Sequence, residues 1–348
     1  MLFVGDIMGH DTQIEGAYDE NMNSYNYEPV FRYIRDYFTE ADIVTGNLEV
    51  TLAGPPYKGY PQFSSPDELA IEAKSAGFDI LVNANNHALD RGEEGFKRTL
   101  HMLDSLQFIR AGTYLDSLER DSIYPVIFGK NGIRIALLNY TYGTNGLKIK
   151  SPYLINRIDT AQISADLAKA KSANPDYTIV FIHWGNEYER TENEKQKKLA
   201  YHMIEKGADA IIGSHPHVVQ PIRMLCQEGD SLTQYPVVYS IGNFVSNQRA
   251  QYKDGGIIAE LHLSKHNDTL KLDSLLYLPY WVWRQDHTNG KSTFYVVPVG
   301  LYESDPSKFE FTERDIYRLE RFAADTRNQL KNARESAFYK KKKELPQQ

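Results

Sequence analysis

The chain has 348 residues, enough for one large α/β domain or two ordinary ones. Hydrophobic residues make up 41% and charged residues 24%, which is ordinary globular usage and excludes a disordered, collagenous or coiled-coil chain. With 39 basic and 46 acidic residues the formal charge is -7, so broad attraction to nucleic acid or anionic lipid is disfavoured and no nucleic-acid partner is expected.

Along the chain, short apolar runs alternate with helix-like segments, the signature of a mainly parallel sheet with helices on its faces. Strands are predicted over 2–5, 42–45, 78–83, 134–138, 178–182, 208–212 and 237–240. Helices are predicted between them, over 29–38, 66–75, 92–106, 159–172 and 192–206, the fourth with Ile163, Leu167 and Ala170 on one face. The stretch 53–66 carries four prolines and reads as a long functional loop. After residue 255 the pattern changes to strands over 257–263, 271–277 and 293–299, then an amphipathic helix over about 312–334. The run Tyr280-Trp281-Val282-Trp283 reads as edge-strand packing, and the basic run 340–343 as a solvated end. The expected organisation is a main domain over 1–260 and a strand-rich extension with a C-terminal helix over 261–348, packed on the same domain.

Cys226 is the only cysteine, so a disulfide framework and a thiolate metal cluster are both excluded, and any metal ligands must be His, Asp, Glu or Asn. No apolar run reaches the roughly 18 residues that span a bilayer, and no membrane span is expected. A strand that starts at residue 2 leaves room for an upstream leader or anchor outside this chain.

Metal-competent residues recur just past the C-terminal ends of the predicted strands, where open α/β sheets bind ligands. They are Asp6 and His10, Asn47 and Glu49, Asn86, His87 and Asp90, His183 and Glu187, His215 and His217, and Asn243. Taken singly, each reads as a turn or cap residue. Together they point to a metal site, because the His215-Pro216-His217 spacing directs two imidazoles into one place and imidazole suits Zn, Mn, Fe and Ni. His101, His202, His262, His266 and His287 read as ordinary surface or core residues. Two divalent ions about 4 Å apart clamp both the attacking and the leaving oxygen of a displacement. His87 reads as a proton donor to a leaving group, with Asp90 either holding its second nitrogen or capping the helix near Gly92. Tyr57, Lys58, Tyr60 and Phe63, with Tyr140, Tyr142 and Asn145, either line a substrate cleft or pack the loop onto the sheet. Lys58 and Arg91 are the nearest partners for a substrate carboxylate or phosphate, and Tyr60, Tyr142 and Glu187 join them as candidate substrate-binding residues.

Six ordered motifs then carry a resemblance: Gly5-Asp6-Ile7-Met8, Gly46-Asn47-Leu48-Glu49, Ala84-Asn85-Asn86-His87-Ala88-Leu89-Asp90, His183-Trp184-Gly185-Asn186-Glu187-Tyr188, Gly213-Ser214-His215-Pro216-His217-Val218-Val219-Gln220 and Tyr239-Ser240-Ile241-Gly242-Asn243-Phe244. Together, over residues 2–260, they resemble the bacterial capsule synthesis protein CapA family, which is linked to poly-γ-glutamate capsule formation and is similar to a branch of the calcineurin-like metallophosphatase superfamily. The resemblance implies a four-layer α/β sandwich of metallophosphatase type with a strand-rich C-terminal extension. It also implies one or two divalent metal ions, Mn, Zn or Fe, with Asp6, Glu49, Asn86, His183, His215 and His217 as ligands and His87 beside the scissile phosphate. His10, Asn47 and Asn243 are further ligands or supports of that set.

Two positions depart from the superfamily: Met8 stands where it has a histidine, and Asn47 where it has a bridging aspartate, so Glu49 would have to bridge by a longer arm. The implied function is a metal-dependent hydrolase of a phosphoester or related bond in capsule or poly-γ-glutamate biosynthesis. Its substrate would be an anionic polymer or a phosphorylated small molecule, and its partner the capsule synthesis machinery. The alternatives are a non-catalytic polymer-binding or scaffold subunit of a capsule assembly complex, and a plain α/β protein that binds no metal. A cell-envelope or exported location is implied by the resemblance alone.

Overall fold

The computed structural model describes residues 1–227 and 229–339. The basic run 340–343 lies outside the described residues.

The organising element is the strand Leu2–Ile7, every residue of which is buried. It pairs in parallel with Val44–Leu48 on one side and antiparallel with Gly255–His266 on the other. Ile80–Val82 and Ile109–Ala111 continue the first sheet in parallel beyond Val44–Leu48, and Thr269–Asp286 and Ser292–Pro298 continue it antiparallel beyond Gly255–His266. Asn243–Val245 pairs in parallel with the end of Leu2–Ile7. That pairing needs glycine at both positions: a Cβ on Gly5 would run into the Gly242 carbonyl oxygen, and Gly242 itself has a φ of +75°. A second sheet carries Ile222–Gln227, Asp230–Val238, Ala210–Ser214, Tyr177–His183, Ile133–Thr141 and Val126–Lys130 in that order.

The two sheets face each other across a core that includes Phe3, Ile80 and Val82 from the first and Leu137, Phe181 and Ile211 from the second. Fully burying such side chains contributes about 1.5–3 kcal/mol each before the entropy of ordering is counted. The outer face of the first sheet is covered by Val30, Phe31, Phe38, Leu69 and Ala73, and that of the second by the helices Thr160–Ser172 and Glu194–Glu205. The order helix, sheet, sheet, helix is the expected four-layer sandwich.

Several elements differ from the expectation. The predicted helix over 29–38 is two short ones, Glu28–Phe31 and Arg35–Phe38, and between them Ile34 still turns into the core. The strand expected over 237–240 is instead Asp230–Val238. The C-terminal helix is Glu313–Gln329, because the chain turns at Leu330 and enters a short strand, Arg334–Glu335, paired with Thr269–Asp286. Trp281 lies between two strands, opposite Gly255 and Val297, and so is not on an edge, whereas Trp283 runs past the end of Gly255–His266 and is paired only with Tyr295; both indoles share a core cluster with Leu319 and Phe322 of the last helix. Residue 260 falls inside the strand Gly255–His266, so the later strands are built directly onto the first sheet. Among the described residues, no helix is long and apolar enough to cross a membrane.

Candidate metal centre

Both sheets end their parallel strands at the same place, and the polar residues at those ends converge there. Asp6 closes Leu2–Ile7, Asn47 closes Val44–Leu48 with Glu49 next, and Asn86 and His87 follow Ile80–Val82. From the second sheet come His183, the last residue of Tyr177–His183, and His215 and His217 just past Ala210–Ser214. All of these side chains are buried.

Two groups of three donors form, Asp6 with Glu49 and His183, and Glu49 with His215 and His217, and in each group the ligand atoms lie within 4.8 Å of one another. Glu49 belongs to both. Its Oε1 is 3.4 Å from His183 Nε2 and 3.9 Å from His217 Nε2, and neither of its oxygens has a hydrogen-bond partner. His215 Nδ1 is likewise buried without a partner. A buried carboxylate with no donor is expensive, so this cluster of acceptors fits a divalent cation.

The surrounding bonds fix the donors. His217 Nδ1 sits 3.0 Å from both Asp6 Oδ2 and Asn243 Oδ1, which turns Nε2 toward Glu49. Asn243 is tied down in turn, donating to Gln248 Oε1 at 3.1 Å and to the Lys253 carbonyl at 2.9 Å. His183 Nδ1 is 2.9 Å from Ser214 Oγ, and its Nε2 is 2.6 Å from Asn86 Oδ1. Asn47 donates to Asp6 Oδ1 at 2.8 Å, and its own oxygen accepts from Asn85 at 3.1 Å. The His-Pro-His turn is strained, with φ of +98° at His215 and +56° at His217, a cost of about 1–3 kcal/mol per residue that clusters at functional sites.

Burial dominates the electrostatics. It pushes the Glu49 carboxyl up, and the nearby Asp6 charge adds to the effect. It lowers His183 to about 3 and His215 to about 2, which keeps both imidazoles neutral, the form that ligates metal. At Asp6 burial is outweighed by the hydrogen bond and charge of His217, which leave it lowered to about 2. At His217 burial is outweighed by the charges of Glu49 and Asp6 and the Asp6 bond, which raise it to about 9.

His87 stands beside this cluster. Its Nδ1 is 2.7 Å from Asp90 Oδ2, so the two readings of Asp90 are resolved in favour of the imidazole; the residue at the start of the helix Gly92–Ser105 is Arg91, which makes no side-chain cap. The Phe63 ring stands edge-on to His87 at 4.7 Å, which brings the proline-rich loop to the site.

Other sequence candidates fall on the rim or away from it. Tyr142 is 41% exposed and lies over the imidazoles, its ring 4.4 Å from His215 and parallel to His183 at 6.2 Å. Glu187 and Lys58 are exposed, Tyr60 is exposed with its ring 6.4 Å from Phe63, and Arg91 donates to the Pro56 carbonyl at 3.2 Å. Asn145 accepts from Asn86 at 3.2 Å. Tyr140 does not line a cleft: it is fully buried and its hydroxyl is 2.9 Å from Asp166. His10 starts the helix Asp11–Ala17, its Nδ1 contacting Gln13 Oε1 at 3.0 Å and accepting from the Asn247 N–H at 3.2 Å. Met8 is packed in the outer core and offers nothing to the donors. The sequence reading passed over Asn85, which ties Asn47, the Leu48 carbonyl and the His87 N–H together, and over Ser214 behind His183. Their positions inside the same strand-end motifs were the available signal.

The chain is 32% identical over 287 residues to "Capsule biosynthesis protein CapA" of Bacillus anthracis, an alignment covering 78% of this chain and 66% of that protein. It is 29% identical over 316 residues to "PGA biosynthesis protein CapA" of Bacillus subtilis (strain 168), covering 88% and 72%. The chain thus spans about two thirds of the length of these relatives. Among solved structures, a putative 5'-nucleotidase of Staphylococcus aureus in complex with α-ketoglutarate superposes with a TM-score of 0.51 at 15% identity, over 93% of this chain and 57% of that one. The NAD nucleotidase of Haemophilus influenzae gives 0.50 at 13%, over 99% and 60%. These two likenesses establish the fold alone. The family described as "Bacterial capsule synthesis protein PGA_cap" matches residues 1–248, and the chain belongs to it.

Proposed function

We infer that this chain is a metal-dependent hydrolase of metallophosphatase type, acting on a phosphoester or related bond in making or attaching a capsular polymer. The observation that carries this reading is Glu49, a buried carboxylate with two unpartnered oxygens common to both donor groups, with the His87–Asp90 pair alongside. Asp6, Glu49 and His183 would hold one divalent ion, Mn, Zn or Fe, and Glu49, His215 and His217 a second, with Asn86 adding an amide oxygen. Such ions supply Lewis acidity and neutralise charge on the reacting oxygens.

The chain's own residues supply the rest. Asp90 holds Nδ1 of His87 and leaves Nε2 for the substrate. Burial lowers the His87 pKa, but the Asp90 hydrogen bond and the Glu49 charge outweigh it and raise it, which favours the protonated form that serves a leaving oxygen. Phe63 shields one side of that imidazole from water. Tyr142 and Glu187 at the rim, with Lys58, Tyr60 and Arg91 of the loop side, are the proposed substrate contacts.

Metal content per chain, measured by mass spectrometry on protein purified without a metal-affinity tag, tests the reading together with a screen of phosphoester and γ-glutamyl substrates. One or two equivalents, lost in His215→Ala and His217→Ala, support it; unchanged metal content in those variants rejects it. A second reading, a polymer-binding or scaffold subunit, is favoured by the amide at Asn47 and the burial of Met8 in the core. Turnover that disappears in His87→Ala eliminates that second reading.

A further inference from the structure

A cavity of about 520 Å³ opens between the loop after Asn243–Val245, the strand Thr269–Asp286 and the start of the helix Glu313–Gln329, and no metal-centre residue lines it. Four arginines do: Arg249, Arg284, Arg314 and Arg318. Among the described residues only one of the four, Arg284, is in an ion pair, with Asp286 at 2.7 Å. Arg249 and Arg318 spend a donor each on backbone, Arg249 on the Val282 carbonyl at 2.7 Å and Arg318 on the Arg249 carbonyl at 3.0 Å.

The acidic residues of the lining are mostly occupied. Asp286 is held by Arg284 and by Ser292 at 2.7 Å, and Asp315 is turned back onto Thr312, accepting from its hydroxyl at 2.7 Å and its N–H at 3.1 Å. Glu310 is left as the lining carboxylate with no ion pair among the described residues. Two buried N–H donors in the lining, Arg249 Nε and Trp283 Nε1, have no acceptor. Thr312 caps a helix of 17 residues, so the positive end of its dipole also meets the cavity.

Three of these guanidiniums are half-buried and Arg314 is exposed, so like charges gather at the mouth of the cavity, and the planar fork of arginine matches the paired oxygens of a carboxylate or a phosphate. We propose that this cavity is a binding site for an anionic ligand presenting carboxylate or phosphate oxygens, separate from the metal centre. Burial lowers the Arg249 guanidinium to about 10; the buried Asp254 charge opposes this and the Arg318 and Arg284 charges add to it, the condition that an incoming anion relieves.

The test is calorimetric titration of the full chain with inorganic phosphate and, separately, with malonate, at constant ionic strength, before and after removal of metal by a chelator. The expected result is one saturable site per chain for at least one of the two anions, present in both metal states. Arg249→Gln and Arg314→Gln are each expected to weaken that site tenfold or more. Arg314 is exposed, so its variant tests the site even if the Arg249 variant fails to fold. Tighter malonate assigns the ligand as a carboxylate and tighter phosphate as a phosphorylated compound. The proposal is overturned by a lack of saturable binding, by binding that vanishes with the metal, or by binding that Arg314→Gln leaves unchanged.

Discussion

One oxygen of Asp90 sets His87: Oδ2 lies 2.7 Å from the imidazole Nδ1 and at the same time accepts from the Phe63 N–H at 2.8 Å. The imidazole and the loop that covers it are therefore positioned by a single carboxylate. Replacing Asp90 with Asn keeps an acceptor but removes the charge that favours the protonated ring. Asp90→Asn is expected to lower kcat by about 10–100-fold and His87→Ala by about 100–10,000-fold, both with unchanged metal content. Steady-state kinetics on a turned-over phosphoester, beside metal analysis, is the check.

Glu49 gives an inverted pair of effects. Without a cation its buried carboxylate has no partner, so Glu49→Gln is expected to raise the melting temperature of chelator-treated protein. The same variant loses the rise in melting temperature that added Mn or Zn gives the parent chain, since binding to the folded state alone stabilises it. Thermal scans with and without metal read both signs; a variant that melts lower without metal and still responds to it contradicts the proposed ligand role.

Asp209 lies outside the centre and makes stability depend on pH. Burial raises its carboxyl from 3.8 to about 6, only partly offset by the Thr178 N–H that it accepts at 2.7 Å. The folded chain therefore holds this proton more tightly than the unfolded chain does. Its contribution favours folding at pH 4 and is lost as the pH rises to 6 and above. At about 1.4 kcal/mol per pH unit between the two values, Asp209→Asn is expected to gain about 2–3 kcal/mol at pH 7.5 and almost nothing at pH 4. Urea unfolding of both chains at the two pH values measures the difference.

Gly5 carries a steric prediction. The Gly242 carbonyl oxygen occupies the space that a side chain at residue 5 needs, and backbone cannot swing aside as a side-chain tip can. Gly5→Ala is expected to cost about 1–3 kcal/mol or more and to misplace the adjacent Asp6. Urea unfolding and metal affinity should both fall; a variant of parental stability would mean that the strand pair tolerates the shift.

The strand ends were legible in the sequence because parallel strands buried on both faces stand out as apolar runs, so His183, His215 and His217 could be placed at their ends before any coordinates. What was not legible depends on long-range pairing. Nothing local marks Gly255–His266 as the neighbour of Leu2–Ile7, and hence the Trp281 strand could not be recognised as interior. Asp90 had two local readings that only the path of the 53–66 loop, through Phe63, could separate. Tyr140 and Tyr142 are two residues apart and would share one face of a continuous strand, but the strand Ile133–Thr141 ends between them, so Tyr140 reaches Asp166 while Tyr142 turns to the imidazoles; where the strand ends required the sheet.

The central place of Leu2–Ile7 also bears on the order in which the molecule is completed during synthesis. These residues leave the ribosome well before their partners: Leu2 waits for Glu260 and Asp6 for Asn243, and the Asp6–His217 contact closes a separation of 211 residues. Until the strand Gly255–His266 is made, this fully buried strand has an open edge of unpaired amides, the kind of surface that other chains pair with. The nascent chain is thus most in need of protection over the interval when it is already long and still lacks its middle. Metal uptake would then mark the finished fold, because the donors meet only after the two ends of that long path have joined.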